Sequence, residues 1–422
     1  MKNVTNFLLL LLFLGNPILS FAQGGTAVPF VLIHPSPQLN GMAGAFSGLP
    51  TENPFGMYFN PAQLAYFARN NNFAAAFYLK NHRWLPQFNF SDLYFKSNAI
   101  NAGYSTDGLI GQIPVHLGLG FINSKLNLGK NIWVDEMGNE LGVFESWEKY
   151  QQFGVGIGLD WKVSFNFGLA LKKITSHLTD VRVGSELSPG ESKATTYDYG
   201  FLMMAPLSDF FKFPEFEHFF VFESIRPSLN FSFGLTVQNI GDRMLYIDRR
   251  RADPLPRMGH VGYGLSADLQ GVYQGVTLQL IKADWASEAE DLLVDRHKDG
   301  SWDYVGFPGE INLIDHVLLG NYNDEITVYQ GYRFRLLETF EYSYGYYRGA
   351  GFDPYIKTHG FVVSSKGLFK VLAAATENEI LREVFSGIAI QYATSKYFST
   401  ERSNPLNETT FDGLIISLHG LF

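Results

Sequence analysis

Four groups of residues have the types and spacing that chemistry uses. Gly264-Leu265-Ser266-Ala267-Asp268 sets a serine among small residues, as a nucleophile elbow does, but the second glycine of that motif is missing and the stretch alternates like a strand. His116 and His260 would be bases for such an enzyme; both stand beside glycines at strand positions, where a hydrogen-bonded structural histidine is expected. Catalysis is therefore not expected. Asp295, His297, Asp299, Gly300, Ser301 and Asp303 follow the rhythm of a calcium loop, with oxygen donors at alternate positions and glycine at the turn. His297 is a poor calcium ligand, and Gly306 stands at the twelfth position, where a bidentate glutamate is needed. A solvated acidic hairpin is thus expected before a calcium site on Asp295, Asp299 and Asp303, and no other cofactor is expected. Finally, Asn60-Pro61-Ala62 joins an asparagine that bonds nearby backbone, a proline with fixed φ and an alanine small enough for close packing. It reads first as a helix start and second as a binding element.

The elements that must position these groups begin with an export signal. Lys2, the apolar run Phe7 to Leu14 and Ser20-Phe21-Ala22 before Gln23 have the layout of a signal peptide over residues 1–22, which predicts passage through the inner membrane. The apolar run is about half of the roughly 20 residues that a spanning helix needs. The chain has no Cys, which excludes a lipid-anchored cysteine, disulfides and thiolate metal sites. Its net charge is −9, or −10 without Lys2, and Arg249-Arg250-Arg251 is its only basic run. That balance argues against nucleic acid as a partner, because phosphate recognition needs a concentrated positive face.

Aromatic residues make up 16% and charged residues 17% of the chain, with 42 Gly, yet no long apolar run occurs after the signal. The mature chain instead alternates with a period of two. Leu229, Phe231, Phe233, Leu235 and Val237 share one face while Asn230, Ser232, Gly234, Thr236 and Gln238 share the other. The pattern returns at 115–121, at 153–161 with 165–171 as a hairpin, at 261–269 and at 340–346. Shorter copies lie near 72–80, 88–96, 197–205, 276–282, 328–336, 358–364, 367–375 and 384–392. One face suits lipid and the other a crowded lumen, which predicts an all-β, antiparallel transmembrane barrel of about fourteen strands in the bacterial outer membrane. Segments 129–150, 182–196, 206–227, 241–258, 284–325 and 399–411 read as loops. Phe231→Arg is expected to disturb insertion, and Asn230→Arg much less.

Residues 23–70 are too broken by Pro and Gly to face lipid, so they are expected to plug the lumen as a hatch, with the barrel over 71–422. The run Ala27-Val28-Pro29-Phe30-Val31-Leu32-Ile33, then Gly41-Met42-Ala43-Gly44-Ala45, then Tyr58-Phe59-Asn60-Pro61-Ala62-Gln63-Leu64 resembles the start of PorV/PorQ-type proteins, which belong with the FadL-like outer-membrane barrels. Gln238-Asn239-Ile240-Gly241-Asp242, Leu255-Pro256 and Met258-Gly259 are similar to the middle region of that family. Leu414, Ile416, Leu418, Gly420 and Phe422 resemble the terminal strand that the outer-membrane insertion machinery reads, with Phe422 as the insertion signal. The resemblance implies fourteen strands, a hatch whose binding positions are Pro29, Phe30, Asn60, Pro61 and Ala62, and one of two functions. One is binding of exported proteins, carrying a C-terminal signal domain, in type IX secretion or surface attachment. The other is a channel for fatty acids or other hydrophobic small molecules, with an apolar pocket behind the hatch and a lateral opening at a kinked strand.

Overall fold

The computed structural model describes residues 26–88, 92–110, 113–135, 137–180, 190–246, 253–297, 301–350 and 355–420. The alternation resolves into strands β1 (Phe73–Tyr78), β2 (Leu93–Ile110), β3 (Ile113–Val134), β4 (Glu140–Asp160), β5 (Ser164–Thr179), β6 (Gly190–Pro206) and β7 (Phe222–Gly241). They continue as β8 (Met258–Tyr273), β9 (Val276–Leu292), β10 (Ile326–Leu336), β11 (Phe340–Arg348), β12 (Ile356–Ser364), β13 (Ile388–Ser399) and β14 (Thr410–Leu418). Each pairs antiparallel with its neighbours in sequence, and β1 closes the ring by pairing with β14 on one side and β2 on the other. A closed ring of fourteen strands leaves no ladder edge open, as a hydrocarbon surround requires. Among the described residues no helix is long and apolar enough to cross a membrane.

The two faces separate as the sequence predicts. Leu119 and Leu169 point outward and are 59% and 62% exposed, whereas Gly118 and Gly168 point inward against the hatch. Phe231 lies on the outward face, stacked on Tyr263, and Asn230 borders an internal cavity. Phe231→Arg should cost roughly 2–4 kcal/mol of insertion free energy, as a cation near mid-bilayer does. Folding yields into lipid vesicles should fall for Phe231→Arg and stay near wild type for Asn230→Arg; equal yields would refute the face assignment.

Several expectations need correction. Residues 129–150 are mainly the extended tips of β3 and β4, which reach 22 and 21 residues, far beyond the roughly 9–11 needed to span. The strand expected at 88–96 begins at Leu93 and runs to Ile110; Lys96 and Asn98 on its outward face hid the rest. Residues 367–375 form a helix, because Leu368, Val371, Leu372 and Ala375 recur with helical spacing and three consecutive alanines favour it. The strand expected at 384–392 begins at Ile388, after a second helix. The last strand ends at Leu418, and Phe422 lies outside the described residues, as do the signal segment, Arg249-Arg250-Arg251 and Asp299.

Residues 26–72 run down the inside of the barrel. At the loop end Ala27 N donates to Pro254 O (2.8 Å); at the terminus end Asn72 N donates to Leu418 O (3.0 Å). The path holds 3₁₀ turns at Pro29–Leu32 and Leu39–Met42, a helical turn at Gly56–Phe59, and helix α1 (Gln63–Asn70). Irregular backbone survives here because the wall satisfies it: Ser47 N donates to Glu288 Oε2 (2.8 Å), Ala43 N to Thr358 Oγ1 (2.9 Å), and Gln238 Nε2 to Tyr58 O (2.7 Å). Inward glycines let the two backbones touch. A Cβ at Gly168 would sit 2.1 Å from the Pro61 carbonyl carbon, and one at Gly234 would sit 2.0 Å from Ser47 O.

Candidate functional site

The Asn60-Pro61-Ala62 turn is a rivet between hatch and wall. Asn60 is fully buried; its Nδ2 donates to Ser47 O (2.7 Å) within the hatch and to Phe201 O (2.9 Å) on β6, and its Oδ1 accepts from Ala62 N (2.9 Å). Pro61 lies against Gly168, Ala62 caps α1, and Gln63 Nε2 ties back to Phe46 O and Leu49 O. These side chains are committed to holding the hatch, which favours the helix-start use of the motif.

Pro29 and Phe30 sit elsewhere, at the loop end. Pro29 is exposed and opens a 3₁₀ turn, while Phe30 is buried with its ring centroid 5.6 Å from that of Tyr150. Val28, Phe30, Val31 and Ile33 fill an aromatic chamber, packing in one buried cluster with Tyr150 from β4, Tyr329 from β10, Tyr347 from β11, Ile174 from β5 and the hatch residues Tyr58 and Phe59; His34 lies against Tyr58 and Tyr329, whose hydroxyl donates to Glu290. Tyr58 Oη donates to Val31 O (3.0 Å), and Tyr329 stacks on Tyr347 at 5.1 Å. Val28 takes a left-handed backbone (φ 55°, ψ 53°), which is strained for a β-branched residue. Spacing alone did not reveal this chamber, because its walls come from strands nearly 200 residues apart.

Beside Tyr58 and Tyr150 the ladder between β6 and β7 breaks. Tyr197 pairs with Ile240 and Tyr199 with Val237, leaving Asp198 opposite two residues, and Asn239 has φ 59°. The fully buried Lys172 Nζ bridges Asp198 Oδ2 (3.1 Å) and Asn239 Oδ1 (2.7 Å), and Gln152 Nε2 donates to Asp198 (2.7 Å). Both Tyr58 and Tyr150 face that ammonium, at 5.8 and 5.7 Å.

At the terminus end a cavity of about 290 Å³ separates the hatch from the wall, bordered by Glu52, Asp268, Lys282, Arg335, Glu341 and Lys366 among others. It is polar, and its charges are largely paired: Arg335 with Glu341 (2.8 Å), and Lys370 with Glu338 (2.7 Å) in the β10–β11 turn. Burial pushes the Glu338 carboxyl up, but Lys366 and Lys370 outweigh it and hold it below the ordinary glutamate range. The contact therefore persists at neutral pH and is lost only as pH falls through that depressed value. The apolar pocket expected of a hydrophobic channel is thus not this cavity. A second hollow, about 470 Å³ and apolar, lies on the outer wall between Trp285, Tyr332, Phe334 and Tyr342.

The serine and the two histidines weighed for catalysis each have partners in the wall. Ser266 is buried and donates to Asp284, His116 bonds Ser105 Oγ (2.8 Å) and Asp160 (3.1 Å), and His260 bonds Glu288 (3.0 Å). Asp295 and Asp303 stand opposite each other across a short ladder, and Asp303 pairs with His297 at 3.1 Å. Among the described residues no group of three His, Cys, Asp or Glu is placed to hold a metal ion.

No protein-family model matches the chain, and no curated protein matches it in sequence. Among solved structures, the chain is similar to the toluene transporter TodX of Pseudomonas putida (10% identity, 91% of this chain and 98% of that one, TM-score 0.38). It is also similar to the monoaromatic hydrocarbon channel CymD (10%, 92% and 97%, TM-score 0.39) and to a Pseudomonas aeruginosa FadL homologue (9%, 91% and 97%, TM-score 0.34). Likeness at this level carries no argument of its own; the closed fourteen-stranded barrel rests on its strand pairing.

Proposed function

We propose that this chain is an outer-membrane barrel that binds and passes hydrophobic small molecules, held shut by its own N-terminal segment. The supporting observation is the aromatic chamber at the loop end, occupied by Val28, Phe30, Val31 and Ile33. A lumen for polar solutes is lined by polar groups, whereas here the hatch segment packs on tyrosines and aliphatic side chains, with the charges of Lys172, Asp198 and Glu290 bonded to partners at the edge of that cluster. The segment occupies the place of a ligand, and the strained Val28 gives it a local reason to leave. The register shift between β6 and β7 adjoins the same chamber, and the proposed opening of the wall lies there. The outward apolar band and the export signal favour the outer membrane, with its lipid and insertion machinery as partners. Toluene and monoaromatic hydrocarbons, for which TodX and CymD are named, fall in the same chemical class, but the reading rests on the chamber.

Truncating Phe30 removes a ring whose burial is worth about 3–5 kcal/mol and leaves room for a guest. Phe30→Ala in lipid vesicles should bind a fluorescent polyene fatty acid or a monoaromatic probe at least tenfold more tightly than wild type. Binding by neither protein, measured by fluorescence titration, would remove this reading.

A second reading, attachment or secretion of exported proteins, draws support from the tips of β3 and β4. There Ile132, Val134, Leu141 and Val143 are exposed, as is Met137 at 90%, well above the bilayer. Native mass spectrometry of the gently extracted protein separates the two: co-purified proteins sharing a terminal domain favour the second, and stoichiometric apolar small molecules the first.

A further inference from the structure

Helices α2 (Lys366–Ala375) and α3 (Glu379–Gly387) form a hairpin between β12 and β13 at the terminus end. The two helices meet through Phe369 and Phe385 at 5.5 Å, Gly367 rests on Leu337 O of the β10–β11 turn, and Ala373 and Ala374 are buried. The remaining apolar side chains point away. Leu368, Val371 and Leu372 on α2, and Ile380, Leu381 and Val384 on α3, are all exposed, Ile380 at 72%. Six large aliphatic groups with helical spacing on one rim are far more than a water-facing connector needs.

The rim also fixes where they lie. Ser365 N donates to Ile390 O (2.9 Å) and Ile390 N to Ser365 Oγ (3.0 Å), so α2 starts at the outward-facing Ile390 of the wall. Lys370 Nζ reaches Glu338 (2.7 Å) and Thr277 O (3.1 Å), which fastens α2 beneath β9 and the β10–β11 turn. Strands β11 and β12 have nine residues each, just enough to cross the hydrocarbon, so the wall ends at the bilayer surface where the hairpin begins. Leu337, Phe340 and Ile390, all exposed, bring apolar surface of the wall to the rim where the helices begin. Trp161, Phe211 and Phe220 stand exposed at the same rim, in the other connections of that end.

We infer that the α2–α3 hairpin lies in the phospholipid surface at the terminus end of the barrel, its apolar stripe buried among the first acyl carbons as an interfacial anchor. This rests on the outer-membrane reading above. The surface it fits is zwitterionic. Lys366 and Lys370 are turned toward Glu52 and Glu338, and the exposed charges that remain are Glu377, Glu379 and Glu383 against Arg382, which offers anionic headgroups no attraction.

The absence of Cys makes the test direct. Leu372→Cys, Leu381→Cys, Val384→Cys and Glu383→Cys, each carrying a nitroxide on the full chain in phosphatidylethanolamine/phosphatidylcholine nanodiscs, are compared for collision with oxygen and with a water-soluble nickel chelate. The oxygen-to-nickel ratio should be at least fivefold higher at 372, 381 and 384 than at 383, and should not change when a third of the lipid is made anionic. Equal, high nickel access at all four positions would place the hairpin in water and overturn the inference. Protection from both reagents would mean that a protein or a second copy covers the stripe, which overturns it equally, and a ratio that rises with anionic lipid would overturn the zwitterionic assignment. Leu119→Cys on the outer wall separates the two levels: if it too is bathed in nickel, the outer-membrane reading fails; if it lies in lipid while 381 lies in water, only the anchor fails.

Discussion

Gly168→Leu should unseat the hatch. The Cβ alone would lie 2.1 Å from the Pro61 carbonyl carbon, 2.3 Å from its oxygen and 2.4 Å from Ala62 N. All three are backbone atoms, so no flexible side chain can give way. The strand on one side is locked in a closed ring; the turn on the other is riveted by Asn60 to Ser47 O and Phe201 O. Overpacking by a methylene or two costs about 1–3 kcal/mol, and leucine adds three carbons beyond that Cβ. A penalty of about 3 kcal/mol shifts a two-state balance by a little over a hundredfold. The barrel, held by its own ladders, is expected to persist while residues 26–72 leave the lumen. In planar bilayers the variant should show ion conductance that wild type lacks, and a protease added to vesicles should cut within the hatch. Gly142→Leu is the matched control, since a Cβ there meets nothing within 4 Å. A Gly168→Leu protein as silent and as protease-resistant as wild type would show that the hatch is not seated through its backbone contacts.

The same glycines explain what the sequence could and could not disclose. Gly154, Gly156 and Gly158 alternating with Val155, Ile157 and Leu159 announce a strand with one lipid face. That is legible because bilayer and lumen impose opposite chemistry on adjacent residues. Their second use, admitting Met57, Leu64 and Ala65 of the hatch, depends on which inward position meets which hatch residue. Period two says nothing about that. The chamber was hidden for the same reason: Phe30 meets Tyr150 across 120 positions of sequence, and Tyr329 and Tyr347 complete the wall only after the ring has closed. In α2, Lys366 precedes and Lys370 interrupts an otherwise apolar stretch, 367–375, of the length that elsewhere forms a strand. Helical spacing at 368, 371, 372 and 375 was the signal that would have separated the two, since period two requires 368, 370, 372 and 374 to share a face and Lys370 breaks it. The Gln238-Asn239 pair stood out as a family motif, yet its structural meaning is a register break that only the pairing of β6 with β7 exposes.

That break carries the second large effect. Lys172→Met should destabilise the protein by about 3–5 kcal/mol, because removing one member of a buried pair leaves the other charge without compensation. Lys172 and Asp198 are both fully buried, and the carboxylate also accepts from Asn239 N (2.7 Å) and Gln152 Nε2 (2.7 Å). Those two donors also decide how far a compensating change can help. Asp198→Asn in the Lys172→Met background removes the stranded charge and keeps one oxygen for Asn239 N, but it turns an amide toward Gln152. It should therefore recover only part of the loss, whereas independent sites would add. Urea unfolding in lipid vesicles measures all three proteins. A Lys172→Met variant within about 1 kcal/mol of wild type would mean that the break is stable without its ion pair. If the loss is found, the consequence reaches the proposed passage, because Lys172 holds β5, β6 and β7 together at the register shift beside Tyr58 and Tyr150. Weakening that tie should then speed release of a bound hydrophobic probe more than it weakens equilibrium binding, because methionine keeps an apolar side chain beside Tyr58 and Tyr150.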